Sequence, residues 1–379
     1  MAKITPWEVS GEIDYEELLI KFGIEKIDKN LLQRIEKHTK ELHPFLRREI
    51  FFAHRDLNWL LDEYEKGNKF YLYTGRGPSS GIHLGHLLPF LFTKWLQDKF
   101  DVELIIQITD DEKYLFKEIS WEEIQKQTFE NMKDLIALGF KPNNTKFIID
   151  SKHIHYIYPL AIRIAKKITY STVKAAFGFT SENNIGQIFY TSLQAAPAVL
   201  KSYELGKNIP CLIPHGVDQD PHFRVARDVY ERLGYYKPAS IQGKMLPALN
   251  GEAKSSSSKN NAIYLSDSEK EIREKVMKYM LTGGRETLEA QKKLGGVPEL
   301  CVVFKYYYYL FENDDEKLEE RKKLCKGGKL MCGECKKELA NRIVEFVKDH
   351  QSKREKIDDE YVKQFYYGNG ENDEKKATK

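Results

Sequence analysis

No run of roughly 18 apolar residues, the length a membrane-crossing helix needs, occurs in the 379-residue chain; even Leu87 to Leu96 carries Lys94. A spanning helix is thereby excluded. Cysteine is scarce as well: five residues, an odd number, supply no disulfide framework. The opening residues MAKITPWEVSGEIDYEE turn acidic where an export signal requires an apolar stretch. Both observations predict a reduced, cytoplasmic compartment. An excess of either charge is missing too, since 60 Lys and Arg oppose 57 Asp and Glu for a net charge of +3. No polybasic arm or acidic tail dominates the field, so any nucleic-acid contact must come from a local basic face. What is present is a folding composition: 41% apolar residues with 24 Gly and 13 Pro. At about 150 residues per domain the length predicts two or three units, each with its own core.

Apolar spacing from Ile13 to Lys66 is helical, at Leu18, Leu19 and Phe22, then Leu31, Leu32 and Ile35, then Leu57, Leu60 and Leu61. This predicts an N-terminal helical appendage, residues 1–66. A strand, Phe70 to Thr74, runs into the glycine-rich turn Gly75 to Gly81 and an amphipathic helix, Leu84 to Gln97. Val102 to Thr109 reads as a second strand ending at Asp110, Asp111 and Glu112, and Phe147 to Asp150 as a third. Lys152 to Gly206 is mostly helical, an insertion before a further strand, Ile209 to Pro214, and a helix from Gln219 to Gly234. The alternation implies parallel βαβ units, hence an open α/β sheet over residues 67–266. After Asp267 the pattern is helix upon helix, giving a C-terminal all-helical domain, 267–367. The charged tail 368–379 is expected to be disordered.

In an open parallel sheet ligands sit beyond the carboxyl ends of the strands, so the strand ends carry the argument. Gly75, Gly77 and Gly81 let backbone approach a bulky anion, and the following helix aims its first amides there. The spacing is neither a GxGxxG fingerprint nor a P-loop. It contains instead His83, Leu84, Gly85 and His86, two imidazoles on one face of a helix start able to donate to phosphate oxygens, with Gly85 leaving room for a ribose or ring. Taken alone, so short a motif is more often two ordinary helix histidines. Asp110 to Glu112 could meet an ammonium group or a metal, or simply cap a helix. Gln219 and Asp218 open another helix, where capping is the default. Lys254 to Lys259, with Ser255, Ser256, Ser257 and Ser258 between, could close over a triphosphate and neutralise charge growing in a transition state; a polar linker has the same composition. The order decides: a glycine-histidine loop after an early strand, a serine-lysine loop after the last one, then a helical region. Cys332 and Cys335 form CxxC with Cys325 upstream but lack a fourth ligand at zinc spacing, so no metal site is expected. His153 and His155 read as helix-start residues, and Tyr306 to Tyr309 as packing.

Long blocks in the same order resemble tryptophanyl-tRNA synthetases of the eukaryotic and archaeal type, class I aminoacyl-tRNA synthetases. They are YLYTGRGPSSGIHLGHLLPFLFTKWLQD (Tyr71 to Asp98), IQITDDEKY (Ile106 to Tyr114), FGFT (Phe177 to Thr180), LQAAPA (Leu193 to Ala198), CLIPHGVDQDPHFR (Cys211 to Arg224), KSSSS (Lys254 to Ser258) and GGRET (Gly283 to Thr287). The resemblance covers nearly the whole chain and implies a Rossmann-like doubly wound sheet with a helical insertion at 152–206 that forms a homodimer interface. The family's HIGH-type signature falls on His83 to His86 and its KMSKS-type loop on Lys254 to Ser258. Here the family's methionine is absent, which leaves open which serine faces the phosphates.

The implied reaction joins tryptophan to ATP as an adenylate and then to tRNA(Trp), with Mg²⁺ on the nucleotide. By the resemblance Thr74, Gly75, Arg76, Gly77 and Gly85 cradle ATP, while His83, His86, Lys254 and Ser255 to Ser257 stabilise the leaving pyrophosphate. Tyr73 and Gln107 read the indole N–H, and Glu112, Gln194 and Gln219 hold the α-amino group. Arg285 and Glu286 contact the anticodon. Three rivals share parts of this pattern: a tyrosyl-tRNA synthetase, a synthetase-like regulator without catalysis, and a small-molecule nucleotidylyltransferase.

Overall fold

The computed structural model describes residues 13–253 and 261–368, with the backbone of the short strands β1 (Lys3–Ile4) and β2 (Val9–Ser10), which pair antiparallel. Lys254 to Ser258 and the expected disordered tail beyond Gly368 lie outside the described residues. Seven strands make the main sheet: β3 (Glu25–Lys26), β4 (Phe51–Arg55), β5 (Tyr71–Arg76), β6 (Leu104–Ile108), β7 (Thr145–Ile149), β8 (Cys211–Gly216) and β9 (Ala239–Gly243). Their order is β3-β4-β9-β8-β5-β6-β7. The five strands from β9 to β7 run parallel, while β4 joins β9 antiparallel. Chain order reverses between β5 and β8, the doubly wound arrangement, and that crevice is where such sheets place ligands.

Alternation along the strands builds two cores. Leu72, Leu104, Ile106, Ile108, Phe147, Ile149, Leu212 and Ile241 face one way, onto the helices Leu84–Phe100 and Trp121–Ile136. Tyr71, Tyr73, Ile105, Ile148 and Ile213 face the other way, onto Ile154–Ala165, Ile185–Ala195 and Asp220–Arg232. The insertion read at 152–206 is thus a helical cover over one face of the sheet.

The N-terminal segment departs from its all-helical reading. Helices do form at Tyr15–Phe22, Lys29–Thr39, Pro44–Arg47 and Leu57–Glu65, but Phe51–Arg55 is a strand that pairs with β9. Its Phe51 stacks on Phe92 with ring centroids 4.1 Å apart, so the segment closes the sheet edge and shares the core. After Asp267 the chain is helical as expected, through Glu269–Glu274, Leu288–Leu294, Val302–Tyr306, Asp315–Lys326 and Cys332–Arg354. Tyr306 and Tyr307 are buried and bond through their hydroxyls to the carbonyls of Pro247 and Cys335, the packing role expected of the tyrosine run. Among the described residues no helix is long and apolar enough to cross a membrane.

Candidate active site

Register brings the site together. Gly75 on β5 lies opposite Gln107 on β6, so Tyr73, two residues earlier, projects from the same face as Gln107. Both are fully buried. The Tyr73 hydroxyl lies 2.5 Å from Gln107 Oε1 and 2.7 Å from the Gln194 carbonyl, and Gln194 Nε2 donates to it at 3.2 Å. The Tyr190 hydroxyl, one turn earlier on Ile185–Ala195, donates to Gln194 Oε1. A Cβ on Gly75 would stand 3.4 Å from the Gln107 carbonyl and 3.6 Å from Gln194 Nε2, so the turn packs against both residues at ordinary contact distance. Three of the residues expected to hold tryptophan therefore form one hydrogen-bonded group at the switch point. Burial pushes the Tyr73 and Tyr190 phenols well above their ordinary range, which keeps them neutral donors.

Behind this group stand carboxylates. Gln107 Nε2 donates to both oxygens of Asp150 at 2.8 and 2.9 Å, where β7 ends. Asp150 is 1% exposed. Burial, and next the neighbouring Asp111, push its carboxyl well above the usual range, while burial and Asp110 raise Asp111 to about 7. Asp110 is buried and accepts from Ser151 N at 3.0 Å, and from Ser151 Oγ and Gln125. Glu112 accepts from Thr109 Oγ1 at 2.9 Å, and a Cβ on Gly77 would come within 2.7 Å of Glu112 Oε2, so the acidic helix start and the glycine turn are in contact. The acidic run does begin a helix, Asp110–Phe116, yet its first member serves as a buried tie to β7 rather than a solvent cap.

On the glycine turn Arg76 bonds Ser79 Oγ at 2.6 Å and Asn131 Oδ1 at 3.3 Å, shaping the loop. Burial lowers its guanidinium to about 10, still a cation at neutral pH. Thr74 Oγ1 donates to the Pro214 carbonyl at 3.1 Å, fastening β5 to β8 across the switch point. His83 caps Leu84–Phe100, and its ring stacks on His86 with centroids 3.4 Å apart. The His83 N–H points at His86 Nδ1 at 3.4 Å, which leaves the His86 proton on Nε2. Gly85 sits against the His83 ring, at 3.2 Å from its own Cβ position. Gln219 is half-buried at the start of Asp220–Arg232, its amide 3.2 Å from Asp218.

The described segments on either side of the serine-lysine run lie by the histidines. Lys254, Ser255, Ser256 and Ser257 lie outside the described residues, but the chain after them is joined to the histidine segment. Leu84 N donates to the Ile263 carbonyl at 3.0 Å, Leu265 N to Ile82 at 2.9 Å, and His83 pairs with Tyr264. Leu249 N donates to the Asn261 carbonyl at 2.9 Å, so both flanks meet beside the helix start. Arg285 and Glu286 are exposed on the C-terminal helical region, far along the chain from this group.

Asp150 and Tyr190 were not singled out from the sequence. Asp150 ends a strand, and the rule that picked Gln107 could have picked it; Tyr190 carries no motif. Cys301 is the other omission. A Cβ on Gly283 would stand 3.3 Å from Cys301 Cβ and one on the adjoining Gly284 2.6 Å from Cys332 Sγ, so Cys301 approaches the CxxC group although no spacing announces it. No group of three or more His, Cys, Asp or Glu among the described residues is arranged to hold a metal ion. A cavity of about 440 Å³ between Asp56, Trp59, Tyr235 and Tyr236 lies by the amino ends of β8 and β9, away from the ligand edge.

The family described as tRNA synthetases class I (W and Y) matches residues 65–348. The chain belongs to it. The tryptophan–tRNA ligase of Pyrococcus furiosus is 50% identical over 369 residues, covering 96% of this chain and 94% of that one. Among solved structures, the Plasmodium falciparum tryptophanyl-tRNA synthetase aligns with a TM-score of 0.88 at 42% identity over 93% of this chain and 97% of its own. The tryptophan-bound enzyme of Encephalitozoon cuniculi aligns at 0.86 with 40% identity, covering 94% of this chain and 98% of its own. For a class I synthetase the strand-end glycine turn, the stacked histidine pair and the buried amide-phenol group occupy the edge where activation chemistry belongs.

Proposed function

We propose that this chain is a tryptophan–tRNA ligase. The observation that carries the reading is the contact of Tyr73, Gln107 and Gln194 at the switch point, beside a glycine turn whose helix start is bonded to Ile263, in the segment that follows the serine-lysine run. A carboxylate oxygen of tryptophan attacks the α-phosphorus of ATP, the bond to the bridging oxygen breaks and pyrophosphate leaves. A ribose hydroxyl at the tRNA 3′ end then attacks the carbonyl carbon of the adenylate and AMP departs. No side-chain nucleophile is required, so the protein contributes position and electrostatics.

Tyr73 and Gln107 read the indole N–H. Glu112, Gln194 and Gln219 hold the ammonium, for which a carboxylate and amide oxygens are the right acceptors. Thr74, Gly75, Arg76, Gly77 and Gly85 receive ATP, and His83 and His86 with Lys254 and Ser255 to Ser257 carry the leaving pyrophosphate. Mg²⁺ would come on the triphosphate itself, since no side-chain group of the described residues is arranged as its cage. Tyr73 and Gln107 are closed to solvent beneath the helical cover. That cover exposes Tyr158, Ile162, Tyr170, Ile185 and Leu205, an apolar set suited to a homodimer interface in the cytoplasm. Arg285 and Glu286 meet the anticodon.

Pyrophosphate exchange into ATP tests the reading. Exchange dependent on tryptophan and silent with tyrosine supports it, followed by charging of tRNA(Trp). Exchange with tyrosine would make it the tyrosine enzyme, and none with either would favour the regulator. Removing one preorganised donor in His86→Ala lowers the adenylation rate about 100- to 1000-fold, read by single-turnover adenylate formation; a near-normal rate removes His86 from the phosphate site.

A further inference from the structure

Both protons of the Gln107 amide are spoken for on the side away from Tyr73. Nε2 faces the two Asp150 oxygens at 2.8 and 2.9 Å and the Leu193 carbonyl at 3.4 Å, while Oε1 faces the Tyr73 hydroxyl at 2.5 Å. An amide can flip end for end at almost no steric cost, so something must decide which end meets the substrate. Tyr73 does not decide it, because a hydroxyl can donate to oxygen or accept from nitrogen. Leu193 is a long contact. Asp150 does decide it: an ionised carboxylate only accepts, and if it carries a proton, its partner Asp111 stands ready to take that hydrogen bond, leaving the other oxygen to accept from Gln107.

We infer that Asp150 is a specificity-determining positioning residue, which holds the Gln107 amide with its oxygen toward Tyr73 so that the pair presents an acceptor, and not a donor, to the indole N–H. This rests on the assignment of Tyr73 and Gln107 as the indole readers. The chemistry follows from the geometry: the Tyr73 proton has a second acceptor in the Gln194 carbonyl at 2.7 Å, so Gln107 Oε1 can receive an incoming N–H without orphaning the phenol. With the amide reversed, two N–H groups would confront each other in a site closed to water, and tryptophan would lose its advantage over a ring that has no N–H.

The test compares tryptophan with β-(3-benzothienyl)alanine, its isostere with sulfur in place of the indole N–H. The ratio of kcat/KM for the two in ATP–pyrophosphate exchange is measured for wild type, Asp150→Asn, Asp150→Ser and Gln107→Leu. A ratio cancels the concentration of active enzyme, so partial unfolding of a variant does not move it. Asn can face Gln107 with either end and Ser is too short to hold it, so the ratio falls about 10-fold in both Asp150 variants, the size of one hydrogen bond in a closed site, and at least as far in Gln107→Leu. A ratio that falls in Gln107→Leu but stays at the wild-type value in both Asp150 variants overturns this inference and leaves the indole readers standing. A ratio unmoved in Gln107→Leu overturns the indole assignment and this inference with it.

Discussion

Asp110, Asp111 and Asp150 crowd one end of the sheet, and a crowd of carboxyl groups has a pH signature. Asp111 is pushed up to about 7 by burial and by Asp110. An acid whose native pKa lies above its unfolded value, about 4, holds its proton more tightly when folded. Its stabilising contribution is therefore full at acid pH and is lost as pH rises from about 4 through 7. Asp111→Asn keeps the shape of the protonated acid and removes the titration. The variant is expected to melt at the wild-type temperature near pH 4 and several degrees above it at pH 8, since a displacement of about three pKa units corresponds to at most about 4 kcal/mol. Calorimetry at the two pH values checks it, and an equal offset at both would mean that the carboxyl does not titrate in this window. Legibility at this scale depended on position. Tyr73 and Gln107 were named because they fall inside the blocks that carry the family resemblance, whereas Tyr190 reaches the same group from mid-helix, where spacing marks only which face is covered.

Among elements, β5 and the turn after it do the most with the least side chain. Gly77 stands where a Cβ would come 2.7 Å from Glu112 Oε2 and 2.8 Å from Lys113 Cε, both far ends of flexible side chains. Such a clash is relieved by moving the side chains, so folding is little affected, but it displaces the carboxylate proposed to hold the tryptophan ammonium. Gly77→Ala is expected to raise KM for tryptophan about 10-fold, the worth of one charge-assisted hydrogen bond, with Tm within about 2 °C of wild type. Steady-state exchange kinetics and a melting curve test this together; an unchanged KM would separate Glu112 from the substrate. The strands show the same division between the readable and the hidden. β5 to β8 are rich in Ile, Leu and aromatics, and their ranges differ from expectation by a residue or two. β9 escaped because two of its buried positions, Ser240 and Gln242, are polar, and β4 because Phe51, Phe52 and Ala53 form an apolar run too short to show alternation. Gln242 donates to Ser240 Oγ at 2.8 Å and faces Asp220 at 3.3 Å, and Arg55 pairs with Asp220 at 2.9 Å. On β9 a polar network stands in place of apolar alternation, and periodicity has nothing to register.

Over the whole molecule the question is whether the helical region after Asp267 is separate or fused. The apolar packing does not break at that point: Leu31, Leu84, Ile106, Val303 and Ile343 belong to one continuous core, and Phe147 on the edge strand pairs with Tyr366. The boundary read from composition marks a change of element type, since a core can pass from sheet to helices without any turn in the sequence to announce it. Beside the pairs of Arg47 with Asp315 and Arg354 with Asp134, Arg48 is one of the polar fastenings of this union. Only 6% exposed, it donates through Nε to Asp315 at 2.6 Å and through Nη1 to the carbonyls of Tyr308 at 2.7 Å and Glu312 at 2.6 Å, while the Tyr308 hydroxyl returns a bond to the Arg48 carbonyl at 2.6 Å. Asp315 is half in solvent, so its share is small; the cost of Arg48→Ala falls on the two carbonyls left without a donor, about 2–4 kcal/mol in all. If sheet and helices unfold as one unit, calorimetry and far-UV dichroism show a single coincident transition in wild type, and Arg48→Ala moves the entire transition down. Saturating tryptophan with ATP then raises that same transition in both proteins. A split in the variant, with a ligand-responsive melt left at the wild-type temperature and a second melt displaced below it, would show that the helical region holds itself together apart from the sheet.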